Sequence, residues 1–129
     1  MDSRASLTAT REVAPEDSAE RWGNAGIDVL STPAILGEVE RLCDAVMKPH
    51  LDEGRMTVGV EVTMRHNAPV RVGGTVTYTV TAAGDVGRKT DFSFEVLDGR
   101  GELVCAGTHR RAVVDAAGFR ERLAAAGSR

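Results

Sequence analysis

Aromatic residues and cysteines are scarce in this sequence of 129 residues. One Trp, one Tyr and three Phe make up 4% of the chain, so the core must be built from aliphatic side chains, and a stacking platform for bases is not expected. The two cysteines, Cys43 and Cys105, stand far apart without a C-x-x-C context, which indicates neither a zinc site nor a disulfide framework. We expect both to be small buried hydrophobic residues in a reducing compartment.

An excess of positive charge and long apolar runs are also missing. The 16 Lys and Arg residues are balanced by 19 Asp and Glu residues, and the net charge of -3 argues against binding to nucleic acid. No apolar run approaches the roughly 20 residues that cross a bilayer, and residues 1–6 lack the apolar segment of a signal peptide. We therefore expect a cytoplasmic protein with neither a membrane nor a nucleic acid as partner.

Common nucleotide-binding and hydrolase motifs are absent too. The sequence has no G-x-x-x-x-G-K-[ST], no G-x-G-x-x-G after a strand, no H-E-x-x-H and no G-x-S-x-G. The sequence therefore gives no support for nucleotide hydrolysis, dinucleotide redox chemistry, zinc proteolysis or a serine hydrolase elbow. We expect neither a metal nor a cofactor. The length fits one domain over residues 1–129.

One helical pattern and several strand patterns organise the chain. Ser31-Thr32-Pro33 is typical of a helix start, and apolar residues then recur every three or four positions until Pro49: Ile35, Leu36, Val39, Leu42, Cys43, Val46 and Met47. Alternation predicts strands over about 7–13, 56–65, 75–82, 89–97 and 102–114, the last four in series as an antiparallel meander. Residues 15–30 form a polar loop that resembles a lid, and residues 116–126 a short helix.

These elements predict an α+β domain in which a five-stranded antiparallel sheet packs its apolar face on one long helix. Such a sheet leaves edge strands, here rich in Val and Thr, and edges of this kind pair readily with another chain. We therefore expect a homodimer that extends the sheet.

Three polar residues stand out from these patterns. Glu40 interrupts the apolar column of the helix, where it suits a general base or nucleophile, or reaches water from the edge of the stripe. By alternation, His66 lies on the same strand face as Val58, Val60, Val62 and Met64. It is either a catalytic residue at the end of the strand or a structural residue held by hydrogen bonds. Thr32 precedes Pro33, and helix capping explains it as well as chemistry does. His50 and His109 carry less signal.

The order of these pieces resembles the hotdog-fold thioesterases of the fluoroacetyl-CoA thioesterase type. The similarity spans about residues 29–114 and is carried by the run Val29-Leu30-Ser31-Thr32-Pro33-Ala34-Ile35-Leu36, by Glu40 eight residues after Thr32, by His66, and by Gly107-Thr108-His109-Arg110-Arg111-Ala112-Val113. Met47, Pro49, Leu51, Gly54 and Gly59 fall at matching intervals. The resemblance implies a hotdog fold, a long helix wrapped by the sheet.

The resemblance also implies a catalytic set and a substrate. Glu40 would attack the thioester carbonyl or activate water, His66 would assist proton transfer, and Thr32 would hydrogen-bond within the site. Gly59 and Arg111 match substrate-side positions, and Trp22 lies near the expected lid. There, Trp22-Gly23-Asn24-Ala25-Gly26 replaces the family's lid phenylalanines, so a larger acyl chain, on CoA or on a carrier protein, is a candidate substrate.

Two alternatives to thioester hydrolysis remain open. One is a hotdog hydratase, dehydratase or cyclase that acts on a thioester, and the other is a non-catalytic module that binds acyl thioesters. The phosphates of a nucleotide could meet cations near strand ends: Arg88, Lys89, Arg100 and Arg110.

Overall fold

The computed structural model describes residues 5–127 as five strands and two helices. In chain order these are β1 (Ser6–Glu12), α1 (Thr32–Met47), β2 (Arg55–His66), β3 (Thr75–Ala82), β4 (Lys89–Asp98), β5 (Leu103–Asp115) and α2 (Ala116–Ala126). Short 3-10 turns occupy Pro15–Asp17, Ala19–Trp22 and Lys48–His50. The predicted α+β architecture, one long helix with a five-stranded antiparallel sheet, is confirmed. Within residues 5–127 no helix is long and apolar enough to cross a bilayer.

The strand order in the sheet is β1-β3-β4-β5-β2, with every neighbouring pair antiparallel. The expected four-strand meander is wrong for β2, which pairs with β5 at the far edge instead of with β3. Alternation of side chains determines the faces of a strand but not its neighbour, so the pattern carried no information on this crossover. As a result β1 and β2 are the two edges of the sheet.

The core lies between α1 and one face of the sheet, which we call the inner face. Its side chains are aliphatic and aromatic, and each contributes about 1.5–3 kcal/mol by leaving water. From α1 they are Ile35, Val39, Leu42, Cys43 and Met47, and from β3 and β4 they are Val76, Tyr78, Val80, Phe92, Phe94 and Val96. Both cysteines are buried and free, as the sequence predicts.

A β-bulge at Val60 changes which residues of β2 face the helix. The pairing with β5 shifts between Gly59 and Glu61, so Gly59 lies opposite Arg111 while Val62 lies opposite His109. The inner face of β2 therefore carries odd residues before the bulge and even residues after it. The predicted single face for Val58, Val60, Val62, Met64 and His66 is wrong at its first two members, because the bulge inserts one residue.

Candidate active site

Thr32 and His66 form a hydrogen-bonded pair where the start of α1 meets the end of β2. The N-cap of α1 is Ser31, whose Oγ accepts a hydrogen bond from the Ala34 N–H at 3.2 Å. The Thr32 hydroxyl is therefore not needed as a cap, and its Oγ1 lies 2.9 Å from His66 Nδ1. Helix capping is thus the wrong explanation for Thr32, because the preceding residue, Ser31, is the cap.

The second ring nitrogen of His66 is without a partner. Nε2 is buried and makes no hydrogen bond within the described part of the chain. Burial lowers the pKa of His66 below its ordinary value of 6.5, so the imidazole is neutral at neutral pH. A neutral imidazole with an open nitrogen can bind a polar group and exchange a proton with it.

Glu40 lies two turns further along α1, about 12 Å from Thr32 along the helix axis. Its Oε2 is 3.3 Å from Nη1 of Arg111 and 4.0 Å from Nε2 of His109, and 43% of its side chain is exposed. The carboxylate therefore lies in a polar cluster that solvent can reach. The structure does not bring it to Thr32 and His66 within one chain.

Gly59 leaves the space that this carboxylate occupies. A Cβ at Gly59 would overlap Glu40 Oε2 and would lie 3.1 Å from His109 Cε1. The predicted substrate-side position of Gly59 thus has a physical reason, since any side chain there would displace Glu40. The same close approach accompanies the bulge that follows Gly59.

Arg111 is buried and held on several sides. Its Nε donates to Thr57 Oγ1 at 2.9 Å and its Nη2 donates to the Thr57 carbonyl at 3.1 Å. Thr57 Oγ1 in turn donates to Asp44 Oδ1 at 2.5 Å. These hydrogen bonds fix the position of the Arg111 guanidinium on the inner face, where it contacts Glu40.

His109 belongs to the same cluster, although little in the sequence pattern indicates it. It is 3% exposed, its Nδ1 lies 2.9 Å from the Glu61 carbonyl oxygen, and its Nε2 lies 3.2 Å from Arg111 Nη1. The signal that could have found it is its spacing, since residues two apart on a strand share a face and Arg111 had already been singled out.

Trp22 and Cys43 take no part in either cluster's hydrogen bonding. Trp22 is 59% exposed and makes no hydrogen bond or ion pair with Thr32, His66 or Glu40. Burial raises the pKa of the Cys43 thiol to about 12, so this neighbour of Glu40 is not a nucleophile at neutral pH. No group of three or more His, Cys, Asp or Glu side chains within residues 5–127 is arranged to hold a metal ion.

Comparisons with known proteins relate this chain to one family. The family model of FlK, the fluoroacetyl-CoA-specific thioesterase, matches residues 13–117. A fluoroacetyl-CoA thioesterase from Streptantibioticus cattleyicolor is 32% identical over 87 residues, which cover 67% of this chain. The matched segment spans 62% of the length of that curated relative.

Solved structures agree with the sequence matches. A hot-dog-like protein from Thermanaerovibrio acidaminovorans is 27% identical, with a TM-score of 0.84 over 93% of this chain and 88% of that chain. A point mutant of the fluoroacetyl-CoA-specific thioesterase FlK is 25% identical, with a TM-score of 0.84 over 95% of both chains. The hotdog fold expected from the sequence is therefore confirmed, and the chain belongs to the FlK family of fluoroacetyl-CoA-specific thioesterases.

Proposed function

We propose that this protein is a thioesterase that hydrolyses an acyl thioester of CoA, or of a carrier protein, to a carboxylic acid and a free thiol. The observation that carries the proposal is the Thr32–His66 hydrogen bond, which leaves His66 Nε2 buried and unpartnered in a chain of the FlK family. An open imidazole nitrogen beside a hydroxyl, together with a carboxylate elsewhere on the same helix, supplies groups for acyl transfer to water.

The reaction needs a nucleophile and a proton donor. Glu40 either attacks the thioester carbonyl carbon directly or takes a proton from the attacking water. The water that is consumed gives up one proton. His66, neutral in the resting protein, receives this proton at Nε2, directly or from Glu40, and passes it to the thiolate that leaves when the carbon–sulfur bond breaks. The Thr32 hydroxyl holds the ring of His66 through Nδ1 and leaves Nε2 to face the reacting groups.

The two clusters are brought together by a second copy of the chain. Gly59, which touches Glu40, and His66 are on the order of 20 Å apart along β2. β2 is an edge strand whose Val60 is 57% exposed, so it can pair with the β2 of a second copy and extend the sheet. With the two-fold axis near Val62, His66 lies opposite Gly59 of the second copy, and thus next to its Glu40. We therefore propose a homodimer with two composite sites.

Complementation between inactive variants tests this composite site. Glu40→Ala and His66→Ala chains are each inactive as homodimers, but in a mixed dimer one site keeps both groups. Random exchange of equal amounts restores about one quarter of the wild-type activity if the site spans the two copies. No recovery after verified subunit exchange would show that each site lies within one chain.

A thiol-release assay over a panel of acyl-CoA and acyl-carrier thioesters tests the activity itself. We expect turnover by the wild-type protein and a loss of about a hundredfold or more in Glu40→Gln and in His66→Asn. Activity that survives in both variants would overturn the assignment. An altered acyl group on an intact thioester would favour a hydratase, dehydratase or cyclase, and saturable binding without turnover would favour a binding module.

The structure also supports a place for the nucleotide of CoA. A cavity of about 350 Å³ at the end of α1 is lined by Arg55 and Arg88, and neither forms an ion pair among the described residues. Arg110, another candidate for phosphate binding, already forms an ion pair with Asp91 at 2.7 Å.

A related structure supports CoA as the thiol part of the substrate. It is 26% identical and shows a point mutant of FlK in complex with fluoroacetate and CoA. The segment Trp22–Gly26 lacks lid phenylalanines, which favours an acyl group larger than fluoroacetyl.

A further inference from the structure

We propose that His109 is a positioning residue, whose imidazole accepts a hydrogen bond from Arg111 and so holds the guanidinium in the orientation that Glu40 needs. This inference rests on the proposed thioester hydrolysis, in which Glu40 attacks or activates water. His109 itself acts through Arg111 and is not assigned a contact with substrate.

The tautomer of His109 follows from its two neighbours. The Glu61 carbonyl can only accept a hydrogen bond, so Nδ1, at 2.9 Å from it, carries the ring proton. Nη1 of Arg111 can only donate, so Nε2, at 3.2 Å, must present its lone pair. Both requirements are met by one neutral form of the ring, and the backbone of β2 therefore sets which nitrogen faces Arg111.

The hydrogen bonds of Arg111 show what this lone pair does. The bonds to Thr57 use Nε and Nη2 and anchor one edge of the guanidinium. The other edge ends in Nη1, whose two hydrogens point to His109 Nε2 and to Glu40 Oε2, at 3.2 and 3.3 Å. Without an acceptor at the His109 position, Nη1 would have a single partner and the geometry at Glu40 would depend on Thr57 alone.

Burial makes this arrangement costly to lose. His109 and Arg111 are 3% and 7% exposed, so water cannot easily replace the missing acceptor. Glu40, in contrast, is half-exposed and is free to swing into solvent when its partner shifts. A small displacement of a reacting carboxylate lowers the rate more than it lowers substrate binding.

A matched pair of variants separates this role from simple core packing. Gln and Met have similar length and shape, but only the Gln side chain offers an oxygen that accepts from Arg111. We expect His109→Met to lower kcat by about tenfold or more with KM within about twofold, and His109→Gln to stay within about threefold of the wild-type kcat. Equal kcat values in the two variants, with both folded by circular dichroism, would overturn the positioning role.

A measurement on the unaltered protein tests the contact without any reaction. ¹⁵N NMR of the histidine rings at neutral pH is expected to show His109 protonated at Nδ1 and unprotonated at Nε2. The opposite tautomer, or an imidazolium, would overturn the proposal even if neither variant folds. If the wild-type protein has no thioesterase activity but this tautomer is found, the proposed function fails while the His109–Arg111 contact stands.

Discussion

The hydroxyl of Thr32 lies 2.9 Å from Nδ1 of His66 and joins the first turn of the long helix to the last residue of an edge strand. Ser31, one residue earlier, caps the helix, so the Thr32 hydroxyl is free to make this contact. Two adjacent hydroxyl residues therefore have separate tasks. One satisfies the backbone of α1, and the other fixes the histidine ring.

Removal of the Thr32 hydroxyl should therefore affect activity without a large change in stability. In Thr32→Val the side chain keeps its shape but cannot bind His66, so we expect kcat to fall by about tenfold or more. Thr32→Ser, which keeps the hydroxyl, should retain most of the rate. Acyl-CoA kinetics of both variants measure this difference, and a Val variant as active as the Ser variant would contradict it.

Ser31→Ala is the matched control for the preceding pair. Loss of the N-cap costs about 1 kcal/mol of unfolding free energy, because the Ala34 N–H loses its acceptor. The Thr32–His66 contact is not touched, so kcat should stay within about twofold of wild type. Urea unfolding and kinetics on the same preparation test both halves of this expectation.

Gly59→Ala should displace Glu40 and leave the fold intact. The added Cβ would overlap the end of a flexible, half-exposed side chain, which can move, so the clash is relieved at the expense of the carboxylate position. We expect a loss of about tenfold or more in kcat with little change in melting temperature.

Gly37→Ala provides the comparison for Gly59→Ala. Gly37 lies within α1 and a Cβ there meets nothing within 4 Å. The replacement should raise stability by up to about 1 kcal/mol through helix propensity and leave kcat unchanged. If both Gly variants had wild-type kinetics, the close approach of Gly59 and Glu40 would have no role in the reaction.

The exposed edge of β2 should decide the oligomeric state. Val60→Lys places a charge on the strand that the proposed dimer pairs, so we expect monomers in light scattering and loss of activity, because each site would lack its second copy. Leu123→Lys makes the same change at an exposed apolar residue of α2, outside β2, and should leave both properties unchanged. A Val60→Lys variant that remains dimeric would place the interface elsewhere.

The helices and strands could be predicted from the sequence because each depends on the spacing of residues close together in the chain. Apolar spacing and Pro49 placed α1 within a residue or two of Thr32–Met47, and alternation placed β3 at Thr75–Ala82. The edge position of β2 was not accessible, since side-chain alternation is the same whichever neighbour a strand pairs with. Nor was the bulge at Val60, which depends on hydrogen bonds to a distant strand.

The candidate site was accessible only in part for the same reason. Glu40 and His66 could be singled out because each interrupts an apolar pattern, and Thr32 because it marks the start of the helix. The resemblance to the thioesterase family joined the three into one set. Glu40 was expected among apolar neighbours, but its real partner, Arg111, comes from β5 and is brought there by the sheet. The role of His109 could not be predicted, because it depends on contacts with the Glu61 carbonyl and with Arg111 that only the folded sheet shows.

Stability should depend on pH through His66 and His109. Burial lowers the pKa of both His66 and His109 below 6.5, so the unfolded chain takes up protons at a higher pH than the folded chain. The free energy of unfolding should therefore be constant above about pH 7 and fall as the pH drops below 6.5 towards the folded-state pKa values. Urea unfolding at several pH values measures this slope, which should be smaller in His109→Gln. Equal stability at pH 7 and at about pH 5 would contradict it.

Two glutamates on α1 should separate stability from activity. Glu38 is buried and bound by Arg11 at 3.2 Å and by Arg41, so it ties the helix to β1. Glu38→Gln removes the charge that both arginines meet, and we expect a loss of about 1–3 kcal/mol in unfolding free energy with kcat nearly unchanged. Glu40→Gln should instead lose kcat by about a hundredfold or more, because the proposed reaction uses its carboxylate, while the amide oxygen can still accept from buried Arg111 and limits the loss of stability. Denaturation and kinetics on the two variants test this contrast, and a Glu38→Gln protein that loses activity while its stability is unchanged would assign the chemistry to the other carboxylate.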